Sequence, residues 1–480
     1  MLFNTPEYFL FLPIVLLAYF LFPGKYKNVV LLAASYFFYL HLKWQFGFLL
    51  MATTIVNYIS GRKIGLLLET SKTSAKKWLV FSLVFSLCVL VYFKYAGFFV
   101  DSAFGLLNLL GINTHAPALK ILLPIGISFY TFQALNYTID VYRGKQTVEK
   151  NFVNYALFVS FFPTILSGPI ERSTNMLRQF AAKRNFSYEN LLEGGKLIIW
   201  GLFKKMVIAD RLSTYVDWAY GTSHAQNGST LLLASVFYTF QIYCDFSGYS
   251  NIAIGSARML GFRLMQNFNL PYFADSVKKF WKKWHISLTS WFTEYVYFSL
   301  GGNRVKKSRW IFNIATIFLL SGLWHGAAWS FIAWGALHAI YYLIEYYINK
   351  GLKKAGWHDA LAGSRPLKWF RIILCFFLVN LAWIPFRVTD FSQAFYIIQK
   401  IFTNCSGLPA VGSSSAVTLL TILLLIGFIF VEFLQYKGYV SHYFSKSKFP
   451  VWARYLFYAL LVVLIALFGV TSSQFVYFQF

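Results

Sequence analysis

Apolar residues in this chain fall in long runs separated by short stretches of charged and turn residues. A helix crossing a ~30 Å hydrocarbon core needs roughly 20 mainly apolar residues, and fewer where neighbouring protein covers its ends. Runs that meet this requirement lie at 8–22, 27–41, 45–60, 78–100, 119–140, 192–210, 229–256, 309–324, 327–348, 369–387, 416–434 and 454–472. They predict an all-α polytopic membrane protein with about 11–12 transmembrane helices. Two more apolar stretches, 152–168 and 286–300, are short or carry Pro, Gly, Glu or several hydroxyls, and are predicted to be re-entrant or interfacial. The opening MLFNTPEYFLFLPIVLLAYFLF has no basic stretch before its apolar run and no small-residue cleavage site after it, so it is expected to stay attached as the first membrane helix. There is no internal repeat, and no polar stretch is long enough for a soluble domain, so residues 1–480 are expected to form a single membrane domain.

Composition sharpens this picture. With 58% hydrophobic, 21% aromatic and 12% charged residues, the chain carries more apolar surface than one soluble core can bury, and disorder is excluded. The charges are 43 Lys plus Arg against 17 Asp plus Glu, a net +26. They are scattered between apolar runs rather than gathered on one solvated face, which argues against a nucleic-acid groove. The basic loops are 61–77, 142–150, 171–184, 277–284, 303–309, 349–371 and 437–454, while 101–118, 212–228 and 388–415 carry little charge. Short cytoplasmic loops collect Lys and Arg, so the basic set is expected in the cytoplasm and both termini outside, with an even number of spans. Cys88, Cys244, Cys375 and Cys405 show neither a C-x-x-C pair nor metal-ligand spacing, and they read as small hydrophobes.

Ionisable groups within apolar runs are the first place to look for chemistry, because burying them in a membrane is costly. His325 stands in SGLWHGAAW (321–329), flanked by Gly322, Trp324 and Gly326. A helix break with small neighbours lets backbone and substrate approach the ring closely; the alternative is a core histidine bonded to a neighbouring helix. His285 stands in FWKKWHISLTSWF (280–292), which predicts an amphipathic helix with an N-cap at Asp275 or Ser276 and with Trp281 and His285 one turn apart, as are Trp284 and Leu288. Its Lys278, Lys279, Lys282 and Lys283 suit a lipid headgroup level or an anionic donor such as a phosphate-bearing coenzyme; the alternative is an interfacial helix whose histidine snorkels. No carboxylate cluster accompanies the two histidines and no H-E-x-x-H is present, which speaks against a metal. What remains is an imidazole acting as general base toward a hydroxyl that attacks an activated acyl carbonyl. Asp245 and Ser247, and Gln133, Asn136, Asp140 and Arg143, add polar groups to two other runs, where a structural role by ion pairing is the leading alternative. SGPIER (167–172) reads either as the end of a re-entrant element or as an ordinary turn. The closing VTSSQFVYFQF ends F-x-Y-x-x-F, which from its residues alone reads as an aromatic belt on the outer side.

WKKWHISLTSWFTEYVYFSLGGNR (281–304), SGLWHGAAW (321–329) and YCDFSGYS (243–250) resemble, in that order, the membrane-bound O-acyltransferases. The chain looks most like the branch containing the membrane subunits of alginate and peptidoglycan O-acetylation. The resemblance extends to MLFNTPEYFLF and SGPIER and is most specific across 240–330, the implied catalytic block. It implies a ring of helices around a central tunnel and a place in the bacterial inner membrane. His325 matches the family's catalytic histidine, and His285 matches the second motif position, where other branches place Asn or His. Acetyl-coenzyme A is implied as a cytoplasmic donor substrate rather than a resident cofactor. Asp245, Trp281, Trp284, Lys282, Lys283, Trp324 and Gln133 are tunnel or donor-binding candidates, and an extracytoplasmic SGNH-type esterase-like protein is the implied partner in acetylating a polysaccharide. The tail resembles the companion peptide of teichoic-acid D-alanylation, which reverses the aromatic-belt preference and makes Tyr477, in the 473–480 extracytoplasmic tail, an implied acyl relay. Two other readings compete. A transporter or channel would predict inverted repeats, and an acyltransferase acting on a membrane lipid would need no external partner.

Overall fold

The computed structural model describes residues 1–119, 121–357, 363–412, 414–440 and 449–470. Among them there is no β-strand, and each of the twelve predicted spans overlaps a helix. Packing gathers the chain into two compact units, Met1–Gly195 with Ile252–Met265, and Lys196–Asn251 with Gln266–Phe480.

The first unit is built on α1 (Pro6–Leu21), α2 (Lys27–Leu40), α3 (Phe46–Leu67), α4 (Lys72–Leu109) and α5 (Ile127–Tyr142). Small and polar residues join these helices, as expected where lipid removes the usual hydrophobic drive between helices. Asn57 on α3 donates to Ser86 on α4 at 2.9 Å and accepts from Ser82 at 2.6 Å, and Ser82 reaches Thr138 on α5 at 3.2 Å. α4 has 38 residues, about 57 Å of helix, so it is longer than the membrane core is thick. The run predicted at 119–140 becomes helical only at Ile127, because Pro124 has no N–H to give and Gly126 takes the left-handed conformation at φ 78°. The stretch 152–168 forms two short helices, α6 (Phe152–Ser160) and α7 (Phe162–Ile165), of 9 and 4 residues. Neither is long enough to cross a membrane. α8 (Ser173–Ala181) follows. Asn136 clamps the intervening SGPIER segment, donating to the Glu171 carbonyl at 2.8 Å and accepting from the Ser173 N–H at 3.2 Å.

α9 (Tyr188–Leu202) continues into a π-helical turn, Phe203–Ala209, before α10 (Asp210–Gly221). α11 (Gly228–Met259), α12 (Val277–Trp281), α13 (Ile286–Trp291), a second π-helical stretch (Phe292–Tyr297), α14 (Lys307–His325) and α15 (Trp329–Lys354) come next. The helices Arg365–Arg387, Phe391–Thr403, Ser415–Tyr436 and Val451–Phe468 close the described chain. Four helices, Lys72–Leu109, Arg365–Arg387, Ser415–Tyr436 and Val451–Phe468, are each long and apolar enough to cross a membrane. Val451–Phe468 buries only Leu461 and turns Leu456, Leu460, Val463 and Leu467 outward, the surface of a helix solvated by lipid rather than water.

Candidate active site

His325 is the last residue of α14, and the chain leaves the helix through Gly326, whose N–H still reaches the Gly322 carbonyl at 3.3 Å. After the short link Gly326–Ala328, α15 turns back along α14. The glycines in this motif serve that packing. A Cβ on Gly322 would collide with the Phe331 carbonyl, one on Gly335 with the Phe318 carbonyl, and one on Gly326 with the Phe331 ring. Sequence alone predicted that small neighbours let backbone and substrate approach His325; the backbone they admit is that of the second helix. The imidazole is buried, edge-on to Trp324 at 4.9 Å, Trp334 at 5.1 Å and Phe386 at 5.2 Å between ring centres.

His285 reaches the same cage from another direction. α12 starts as predicted at an N-cap, with Ser276 accepting from the Lys279 N–H at 3.1 Å. The continuous amphipathic helix predicted over 280–292 is broken, however. α12 ends at Trp281, and His285 takes φ 42°, a left-handed conformation that is unfavourable for a residue with a side chain. The segment 267–269 holds it there: Asn269 N–H donates to the Lys283 carbonyl and Ile286 N–H to the Asn267 carbonyl, both at 2.9 Å. The Asn267 side-chain oxygen accepts from Ser287 N–H at 3.3 Å, Ser287 Oγ at 2.9 Å and His285 Nδ1 at 3.1 Å. A backbone N–H can only donate, so that oxygen is fixed as an acceptor. In neutral His285 the proton therefore lies on Nδ1 and the lone pair on Nε2. The fully buried ring stands 4.6 Å from Phe246, 5.7 Å from Trp324 and 6.3 Å from the His325 ring. The two histidines picked from sequence thus share one aromatic enclosure, with Trp324 in contact with both.

The other sequence-predicted residues divide. Trp281 donates its indole N–H to His338 Nδ1 at 3.3 Å, and Trp284 packs on Phe280 and Trp383 at 5.5 and 4.9 Å, so both are buried walls of the cage. Lys282 is exposed and Lys283 half-buried, beside the Lys279–Asp275 ion pair of 2.8 Å. Asp245 is held by Lys205 at 2.7 Å, and Lys205 also grips Asp210 at 2.7 Å. A π-turn brings residues five apart into register, which is the spacing of Lys205 and Asp210. Gln133 belongs to the first unit, where it donates to Thr164 at 3.3 Å. Tyr477 lies outside the described residues. Buried Lys204, Lys205, Asp210, His338 and Glu432 were not among the candidates, though each sits in a predicted span and the cost of burying ionisable groups should have flagged them. Lys204 donates to Ser247 at 2.9 Å, and the Tyr243 hydroxyl meets Glu432 at 2.6 Å. Among the described residues, no three His, Cys, Asp or Glu side chains are grouped to hold a metal ion.

The profile of the membrane-bound O-acyltransferase family matches residues 29–384, which hold His285, His325 and all of the cage residues named above except Phe386. The chain is 41% identical to the "probable alginate O-acetylase" AlgI of Azotobacter vinelandii over 396 residues, covering 82% of this chain and 76% of that protein. It is 34% identical to the peptidoglycan O-acetyltransferase of Helicobacter pylori over 432 residues, covering 83% and 79%. It is 30% identical to the teichoic acid D-alanyltransferase of Bacillus subtilis over 278 residues, covering 55% and 69%. The chain belongs to the membrane-bound O-acyltransferase family.

Proposed function

We propose that this family member is the membrane subunit of a polysaccharide O-acetylation system. It takes an acetyl group from cytoplasmic acetyl-coenzyme A and passes it across the membrane to an extracytoplasmic SGNH-type esterase-like partner that acetylates a glycan such as alginate or peptidoglycan. The observation that carries this reading is the pairing of His285 and His325, both in the family-matched segment and 6.3 Å apart between ring centres, inside an apolar cage. A thioester carbonyl and an attacking hydroxyl held there are shielded from water, so the acyl group is not lost to hydrolysis. His325 takes the hydroxyl proton as the oxygen bonds to the carbonyl carbon; the C–S bond then breaks and the departing thiolate receives that proton. His285, oriented by Asn267, presents its Nε2 lone pair and assists as an acceptor. The Lys278–Lys283 cluster draws the anionic coenzyme from the cytoplasmic side. Tyr477 accepts the acetyl group and relays it to the partner's serine.

The test is His325→Ala in the native cell, with O-acetyl content of the glycan read by mass spectrometry. The expected result is loss of acetylation with the variant inserted in the membrane at wild-type level; normal acetylation overturns the reading. Tyr477→Phe isolates the relay, since intact acetylation in that variant removes Tyr477 from the path while leaving His325 in place. Acetylation of a membrane lipid with the glycan unchanged would point instead to a lipid acceptor.

A further inference from the structure

A third imidazole lies beside the pair. His338 is fully buried on α15, one helical turn beyond Trp334, and is enclosed by Phe280, Trp281, Trp334 and Trp383. Its protonation follows from its neighbour. An indole nitrogen can only donate, so the 3.3 Å contact from Trp281 Nε1 requires a lone pair on His338 Nδ1. An imidazolium has no such lone pair. His338 is therefore neutral with its proton on Nε2, and that N–H finds no acceptor among the described residues. Leaving a buried donor unsatisfied is costly, and such a group is retained more readily where something else accepts from it.

We infer that His338 is a hydrogen-bond donor to the carbonyl oxygen of the acyl group during transfer. This inference rests on the acyl-transfer reading above. The distances suit it. His325 stands 5.1 Å from Trp334 and Trp334 5.0 Å from His338, so the two imidazole centres are no more than about 10 Å apart. A hydroxyl bonded to His325 and closing on a carbonyl carbon, whose oxygen accepts from Nε2–H, can bridge imidazole centres within that limit with contacts of about 2.8–3 Å. As the hydroxyl oxygen bonds to the carbonyl carbon, the carbonyl π pair moves onto the oxygen held by His338, and the hydroxyl proton moves to His325. Collapse reforms the carbonyl and breaks the C–S bond, and the thiolate takes the proton from His325. A neutral donor in a dry cage suits this task, because it stabilises charge that develops at the oxygen and asks for no proton transfer of its own.

The experiment uses inverted membrane vesicles from the native cell, which carry whatever acceptor the chain uses, with a gene-deleted strain as blank. Labelled acetyl-coenzyme A is the probe, and release of the free coenzyme thiol is followed over a range of donor concentrations. His338→Phe keeps a ring without a donor, and His338→Gln keeps an amide N–H at the reach of Nε2. Removing one such donor lowers kcat by about 10²–10³-fold, so His338→Phe is expected to fall by that much with KM little changed, and His338→Gln to retain activity within about tenfold of wild type. A His338→Phe variant with wild-type kcat, or equal losses in both variants, overturns the assignment. If the Phe variant fails to accumulate in the membrane, His338→Met replaces it in the same comparison. Wild-type vesicles that release no thiol overturn the acyl-transfer reading itself, and the role of His338 with it; release by wild type with an undiminished Phe variant overturns the His338 role alone.

Discussion

Single residues in this chain were legible where a histidine stands in a distinctive motif and illegible where the partner is distant in sequence. His285 and His325 stand out because an imidazole in an apolar run needs a reason, and both lie in the cage. Asn267 has no such mark. It is one of many polar loop residues until the fold brings it to His285 and Ser287, 18 and 20 positions along the chain. Glu171 is a similar case. Sequence left SGPIER open between a re-entrant end and a turn, whereas the carboxylate is buried, accepting from the Met265 N–H and from Asn175 at 3.0 Å. Burial outweighs those hydrogen bonds and pushes the carboxyl from 4.5 up to about 7. A raised carboxyl contributes stability that is fully present below about pH 4.5 and lost as pH rises through about 7. Melting of the detergent-solubilised protein is therefore expected to fall between pH 5 and pH 8, by a free energy on the order of 3 kcal/mol. Glu171→Gln should flatten that dependence. A slope identical in both proteins would assign it to other groups.

Elements were more legible than residues, because twelve apolar runs leave few alternatives to helices. Their ends shift for local reasons. α3 runs to Leu67, seven residues past the predicted end, because Gly61–Lys63 stay helical, and α5 starts late at Pro124 and Gly126. The break at His285 was hidden for a different reason: the 3.6-residue pattern through 280–292 fits one helix, and only pairing with 267–269 prevents it. The glycines of SGLWHGAAW were visible, but their use was not, since a close helix crossing and an open approach to substrate leave the same trace in sequence. The crossing makes a sharp prediction. Gly322→Ala and Gly335→Ala each push a methyl into a backbone carbonyl, which cannot rotate away. Each is expected to lower the melting temperature and membrane yield markedly, with overpacking of about 1–3 kcal/mol or more. Gly351→Ala on the same α15, where a Cβ meets nothing, should leave both unchanged. Equal behaviour of all three would mean that α14 and α15 do not cross at these positions.

For the whole molecule, the net charge of +26 carries information only through its placement. The charge pattern predicts the basic loops on the cytoplasmic side, and the proposed route of the acetyl group depends on that orientation. If the Lys278–Lys283 cluster faced outward, it could not gather a cytoplasmic coenzyme. The cysteines provide a test that needs no engineered labels. Cys244 and Cys375 are buried, and Cys88, though exposed, lies in the apolar length of α4, where hydrocarbon keeps a charged reagent away. Cys405 is exposed in the lightly charged 388–415 loop that the charge pattern puts outside. A membrane-impermeant sulfonated maleimide is therefore expected to label the wild-type protein in intact spheroplasts, and Cys405→Ser should abolish that labelling. Labelling only after lysis would place 388–415 in the cytoplasm, reverse every basic loop with it, and require the acyl donor to come from outside the cell.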